Sequence, residues 1–393
     1  MIIFDEISAC RLKKSVSFKI YDATQQLPTD WDALALDNIF LSTCYFKVLE
    51  ASAPENMTCF YIGFFQDEEL VGIAISQFLN LNKLQSFGDR DQCIKTSVRN
   101  FVFKKFASHV LFMGNNMLTG QNSYCFSDKI TEVEGLQSLK KASLALKSIL
   151  KEKGSKIHLS TFKDFPKEAL ADFEKAGFDD YFQFSTQPNM VFTINEDWKS
   201  EQDYIDSLSK KYRDQYKRAR KKSADIVKKK LHLEDIVAQE KEIYELYFHV
   251  AKNAPFNTFF LAKNHFSTFK SILKDKFLFY GYFQNGKLIG FNTLIKNGAA
   301  MDTYFLGYDD SIQRDKMLYL NMLYDMIAYS INKGFKKIIF ARTALEIKSS
   351  VGAKPEKMYG FIAHNNKIID KNMARLFGYL EPETLWQERN PFK

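Results

Sequence analysis

The sequence predicts an α/β chain built as two tandem units of one mixed-sheet fold. Three observations carry this. FFQDEELVGIAI (64–75) and YFQNGKLIGFNT (282–293) each read as an apolar strand, a tight polar turn and a second strand, with Gly72 and Gly290 in the same place. LKSILKEKGSKIHLS (146–160) and IAYSINKGFKKIIFA (327–341) each read as the end of an apolar-periodic helix, a Lys-Gly stop and a short strand. The length of 393 residues suits two domains of about 200 residues better than one.

The elements follow in order. The hairpins lie 218 residues apart and the helix ends 180 apart, so the first unit carries about forty extra residues around 80–133. That unit closes through 171–194, a helix, a glycine stop and a last strand, and 195–202 reads as linker. This divides the chain into 1–195 and 196–393. The second unit opens on a basic segment, about 203–230, in which Ile205, Leu208, Tyr212, Tyr216 and Ala219 recur at helical spacing. FLFYGYF, KLIGFNTLI and AAMDTYFLG then read as three antiparallel strands, with Asn285-Gly286 as the hairpin turn. A crossover helix from about Lys316 to Asn332 and a strand at 337–341 complete it.

Composition narrows the function classes. No apolar run reaches the length of a membrane span. The first residues, MIIFDEISACRLKK, mix acids and cations into the apolar run and do not read as a signal peptide. The expected location is therefore cytoplasmic, with peripheral contact to an inner membrane as a variant of it. Cys10, Cys44, Cys59, Cys93 and Cys125 are odd in number and never spaced C-x-x-C, which fits free thiols in a reducing compartment and no zinc site. The six histidines are scattered, and no metal is expected. Residues 210–230 hold eleven Lys or Arg against two Asp, more positive charge than the whole chain's net +8, so the rest is slightly acidic. That segment suits the phosphates of a tRNA or nucleotide-linked precursor, an acidic carrier protein or anionic lipid headgroups; a merely solvated helix face is the plain alternative.

The stretch FARTALEIKSSVGAKP (340–355) concentrates the candidate chemistry. Lys348 stands on a loop just past a strand end, where a cation can steady a developing oxyanion. Arg342 can fork onto a phosphate or carboxylate, and Glu346 can act as base toward an incoming ammonium. Equally, the two can simply pair with each other at i and i+4. Gly352 turns the chain. Asp302 lies inside an apolar strand, where a carboxylate is costly unless paired or facing a site; it is a candidate base or amine anchor. His249 is a candidate base in an acceptor pocket, or a structural helix residue. PFNTFFLAKNHF (255–266) would line an acyl groove or belong to the core.

The order of elements resembles the GNAT superfamily, and two copies in one chain resemble the Fem-type and bacterial ceramide synthase-like double-GNAT acyltransferases. Ile347-Lys348-Ser349-Ser350-Val351-Gly352 matches the Fem-type aromatic-Lys-x-x-aromatic-Gly stretch with aliphatics in place of aromatics, and SLSKKYRDQYKRARKKS (207–223) matches a helix rich in Arg and Lys. The resemblance implies acyl transfer to an amine in a ternary complex, with the donor thioester where the fourth and fifth strands of a unit splay apart. It implies a charge-steadying role for Lys348, substrate-binding roles for Arg213 and Arg218, and protonation of a leaving thiolate by Tyr308. The usual R/Q-x-x-G-x-G/A pyrophosphate motif is missing: the second unit reads YDDSIQRDKMLYLN, and Gly114 and Gly120 in the first are not at that spacing. The co-substrate expected is an acyl-CoA or acyl carrier protein thioester, with no cofactor held. Three functions stand side by side: N-acylation of a small or lipid-like amine such as a long-chain sphingoid base, Fem-type transfer from aminoacyl-tRNA to a peptidoglycan precursor, and a non-catalytic protein that binds nucleic acid.

Overall fold

A computed structural model describes residues 15–83, 107–185, 187–253, 257–375 and 386–393. Cys10, Cys93, Pro255, Phe256 and much of the extra stretch in the first unit lie outside the described residues.

The first half contributes β1 (Ser17–Tyr21), β2 (Met57–Gln66), β3 (Glu69–Asn80), β4 (His109–Met113), β5 (Tyr124–Phe126), β6 (Leu159–Phe165) and β7 (Phe182–Ser185). After these come β8 (Asn189–Thr193), β9 (Val227–Lys230), β10 (Phe277–Gln284), β11 (Lys287–Asn297), β12 (Ala300–Tyr308), β13 (Lys337–Ala341), β14 (Lys354–Glu356) and β15 (Tyr359–His364). One sheet runs β1-β2-β3-β4-β6-β15-β7 with β5 beside β3, and the other β14-β8-β13-β12-β11-β10-β9. The two hairpins form as expected. Asn285 and Gly286 both take positive φ, 50° and 78°, the geometry a two-residue hairpin turn requires.

The two halves exchange strands. β15, from the end of the chain, lies antiparallel between β6 and β7, while β8 leaves the first half and lies antiparallel between β13 and β14. The division at residue 195 therefore follows the chain but not the sheets. Each sheet is completed by one strand from the other half, so neither half alone satisfies its backbone hydrogen bonds.

The crossover helices form for legible reasons. Helix Glu132–Glu152 starts on a Thr131/Glu134 capping box and buries Leu136, Leu139, Ala142, Leu146 and Leu150 along one stripe. Gly154 and Gly334, at φ 83° and 71°, stop the two helices. Helix Leu318–Asn332 buries Met322, Leu323, Met326 and Ile327 against Met301 and Ile338.

The basic segment departs from one continuous helix. Helices Glu201–Ser207 and Lys210–Lys222 are separated at Leu208, which bridges to Phe392, and residues 227–230 form edge strand β9 on β10. Leu208, Tyr212 and Ala219 are buried, and Ile205 and Tyr216 pack on the same core, as the apolar stripe requires.

A third core joins the two units. Tyr45, Phe46 and Leu49 of helix Thr43–Ser52 meet Phe266 and Phe269 of helix His265–Leu273. His265 sits fully buried there, with Nδ1 at 3.0 Å from Ser52 O and Nε2 at 3.0 Å from the Tyr304 hydroxyl. Burial holds its pKa down at about 4, so the ring is neutral and bridges the halves as donor and acceptor. Leu261 and Phe266 are core and Phe259 packs against it, so the described part of the 255–266 stretch is not an open acyl groove.

Candidate active site

The second sheet opens between β12 and β13. Their parallel pairing covers Ala300–Lys337, Met301–Ile338 and Asp302–Ile339, and Thr303 Oγ1 donates to Ile339 O at 3.0 Å. Beyond this point β12 runs on to Tyr308 while β13 bends away, with Ala341, Thr343 and Ala344 all in the left-handed region at φ 59°, 66° and 47°. Three such non-glycine residues in four positions mark a loop held by its surroundings.

Lys348 does part of that holding. It lies in the short helix Leu345–Ser349, is 4% exposed, and its Nζ donates to Arg342 O at 2.6 Å and Ala341 O at 3.3 Å. Burial lowers its pKa to about 7. Gly352 follows at φ 108°, where a Cβ would lie 2.4 Å from the Phe392 ring, so glycine is needed both for the turn and for the contact.

Asp302 is 6% exposed at the last position of β12 that pairs with β13. Asn297 Nδ2 donates to its Oδ2 at 3.1 Å, and burial raises its pKa to about 7 against the smaller lowering effects of Asn297 and Lys337. Asn297 Oδ1 in turn accepts from Ile39 N at 2.9 Å, which puts Asp302 at the seam between the units. Tyr308, at the end of β12, has its pKa raised by partial burial and then by Asp310.

The expected pairing of Arg342 with Glu346 does not occur. Arg342 forms an ion pair with Asp164 of β6, on the other unit, while Glu346 is bound by Arg389, whose Nε donates at 3.0 Å. Backbone direction decides this: the left-handed bend turns Arg342 toward the first sheet and leaves Glu346 facing the C-terminal segment. His249 is half exposed, with Nε2 2.8 Å from Asp310 Oδ2, a surface pair and not an acceptor pocket. Arg213 is half-buried and Arg218 exposed on helix Lys210–Lys222, away from its buried stripe.

Two clusters escaped the sequence reading. Arg220 donates to Asp325 and Glu201, each at 2.8 Å, and its guanidinium lies over the Tyr216 and Tyr324 rings, so it fastens the basic helix to the crossover helix. In the first unit, Lys163 and Asp164 are 7% and 2% exposed, and Lys163 Nζ lies 2.6 Å from Asp164 Oδ2. The signal was available: a Lys-Asp pair inside the apolar strand LSTFKDF is as anomalous as Asp302 within its own strand.

The corresponding gap of the first unit is closed. β4 pairs with β6 as far as Met113–Phe162, and Lys163 Nζ then crosses the opening to donate to Asn115 O (3.1 Å) and Leu118 O (2.8 Å). The start of its crossover helix carries Glu132 and Glu134, with Glu134 filling the capping site, which repels an anionic group at that helix end.

A cavity of about 440 Å³, lined by Thr193, Trp198, Ser207 and Phe392, lies near the start of β13, where Thr193 pairs with Lys337. The splayed end is at Ala341, so this cavity belongs to the opposite end of the strand.

Comparison with solved structures matches this architecture. FemX aligns over 91% of this chain and 99% of its own with a TM-score of 0.51 at 12% identity. A tandem GNAT protein from the clavulanic acid biosynthesis pathway aligns over 90% and 99% with a TM-score of 0.50 at 9% identity. This chain has the tandem GNAT fold. No protein-family model and no curated protein matches its sequence. Within the tandem GNAT arrangement, the open gap is that of the second copy. Among the described residues, no helix is long and apolar enough to cross a membrane.

Proposed function

We propose that the chain is a GNAT-type acyltransferase that moves an acyl group from a thioester to an amine, with the chemistry in the second copy where β12 and β13 part. One observation carries this reading: a buried carboxylate, Asp302, stands where the β12–β13 pairing ends, and a buried lysine, Lys348, is seated on the carbonyls of Ala341 and Arg342 where β13 bends away, with burial moving the pKa of each toward neutrality. Ionisable groups tuned to the working pH and gathered at an opening mark a site of proton transfer.

Asp302 takes the proton from the acceptor ammonium. The freed nitrogen attacks the thioester carbonyl, the tetrahedral oxyanion forms beside the Lys348 cation, and the C–S bond breaks as it collapses. Tyr308, kept protonated by burial, gives its proton to the leaving thiolate and takes in exchange the second proton of the attacking nitrogen, so the products are a neutral amide, a thiol and a protonated Asp302. The acceptor is best taken as a small polar amine. A long-chain sphingoid base is the finer alternative, but among the described residues Phe266 of the 255–266 stretch is core and Phe259 packs against it, so that stretch gives the lipid acceptor little support. The Fem-type alternative keeps one specific support: helix Lys210–Lys222 presents Lys217, Arg218, Lys221 and Lys222 to solvent, which suits a phosphate-rich donor.

The test is amine-dependent thiol release from a series of acyl-CoA and acyl carrier protein thioesters, with product detection by mass spectrometry and aminoacyl-tRNA as a parallel donor. Asp302→Asn is expected to lower kcat by about 10²–10⁴-fold, while Glu346→Gln stays within about threefold of wild type because its partner is Arg389 on the surface. Transfer from aminoacyl-tRNA alone moves the reading to the Fem type. No amine-dependent transfer from any donor refutes it.

A further inference from the structure

The first copy has the same fold but a closed gap, and its strand β6 bends where the second copy's does. Asp164 and Ala344 stand 180 residues apart, the same offset as Gly154 and Gly334, and both take positive φ, 70° and 47°. In the second copy this bend builds the loop that carries Lys348. In the first copy it sends two charged side chains different ways. Lys163 turns into its own gap, and Asp164 crosses to Arg342.

Arg342 is thereby held at both ends. Its guanidinium is fixed by Asp164, a residue 178 positions away in the other copy, and its carbonyl receives the Lys348 ammonium at 2.6 Å. Asp164 is in turn fixed by Lys163, whose Nζ is anchored on Asn115 O and Leu118 O. The contacts form one chain: first-copy loop, Lys163, Asp164, Arg342, Lys348. We infer that Asp164 is a positioning residue for the transfer site, and that the first copy serves the reaction by fixing, through Arg342, where the Lys348 amine stands. The inference rests on the role given to Lys348 above.

The physical argument is local. Arg342 is a quarter exposed at its side chain, so without Asp164 it has water to turn to. Lys163 and Arg342 would then face each other without a counter-charge. The run Ala341–Ala344 holds three left-handed non-glycine residues, and a loop so strained relaxes once a fastening is lost. Relaxation moves the two carbonyls that seat Lys348. Water then enters, and the amine returns toward the behaviour of an ordinary lysine, because burial is the cause of its low value.

The experiment compares wild type, Asp164→Asn, Asp164→Glu and the double variant Lys163→Met/Asp164→Asn, which removes the facing cation in case the single change prevents folding. The first readout needs no substrate: the titration of Lys348 followed by NMR in protein carrying ¹³C-labelled lysine, assigned with Lys348→Met. The second is steady-state kinetics. In the folded Asn variants the Lys348 midpoint rises well above its wild-type position, kcat falls up to about a hundredfold, as small displacements of reacting groups do, and KM for the donor stays within about threefold. Asp164→Glu recovers part of both. Arg220→Met, which loosens the same copy elsewhere, lowers stability without moving the midpoint. A Lys348 midpoint unchanged in folded Asp164→Asn or the double variant overturns the inference, whatever the kinetics. A moved midpoint in a protein that transfers no acyl group leaves the positioning intact and removes the acyltransferase reading instead.

Discussion

Replacing Lys348 by Met should remove activity and yet leave the protein at least as stable near pH 6.5. The lysine is 4% exposed and held at about pKa 7, against 10.5 for the free side chain. Between those values the unfolded chain carries a proton that the folded protein does not, so stability rises with pH across that window, and the full penalty is present below about pH 7. The whole interval is worth about 5 kcal/mol, and the part between pH 6.5 and 9.5 about 3 kcal/mol. Methionine matches the lysine in length and carries no charge to bury. It gives up the hydrogen bonds to Ala341 O and Arg342 O, a loss that does not depend on pH. The assay is urea unfolding of both proteins at pH 6.5 and 9.5 at fixed ionic strength, read by circular dichroism. The difference in unfolding free energy should move about 3 kcal/mol in favour of wild type between the two pH values. Parallel pH profiles, with that difference constant to within about 1 kcal/mol, would refute the argument that burial sets the charge of Lys348.

Asp302 should show the opposite slope. Its folded-state pKa is raised from 3.8 to about 7, so the folded protein holds the extra proton, and its contribution to stability declines as pH rises between those values. Asp302→Asn should flatten that limb in thermal melts from pH 4 to 7, and wild-type kcat should pass through a maximum near pH 7, rising as the Asp302 carboxylate ionises and falling as Lys348 loses its proton. Arg220→Met leaves Asp325 and Glu201 without their shared cation. Because the arginine is about a third exposed at its side chain, the cost should be about 2–4 kcal/mol, below that of a fully buried pair, and urea unfolding measures it.

How much of this was legible in the sequence depends on range. The hairpin turns, the helix stops at Gly154 and Gly334, the turn at Gly352 and the apolar stripe through Tyr212 and Ala219 are local, set by backbone freedom and by periodicity within one element. Their repetition gave the two copies. The oddity of a carboxylate inside a strand gave Asp302, and the strand-end position gave Lys348. The partners of charged groups are not local. Arg342 has Glu346 four residues away and takes Asp164 across 178, because a left-handed bend, not sequence spacing, sets its direction. The exchange of β8 and β15 is equally invisible to pattern, since either strand has the same alternation whichever sheet it completes. Sequence alone determined most of the elements and their repetition, and it pointed to Asp302 and Lys348 but not to Lys163, Asp164 or Arg220. Tertiary structure decided which strand completes which sheet, which acid meets which cation and which gap stays open, because each depends on groups brought together only when the two copies pack.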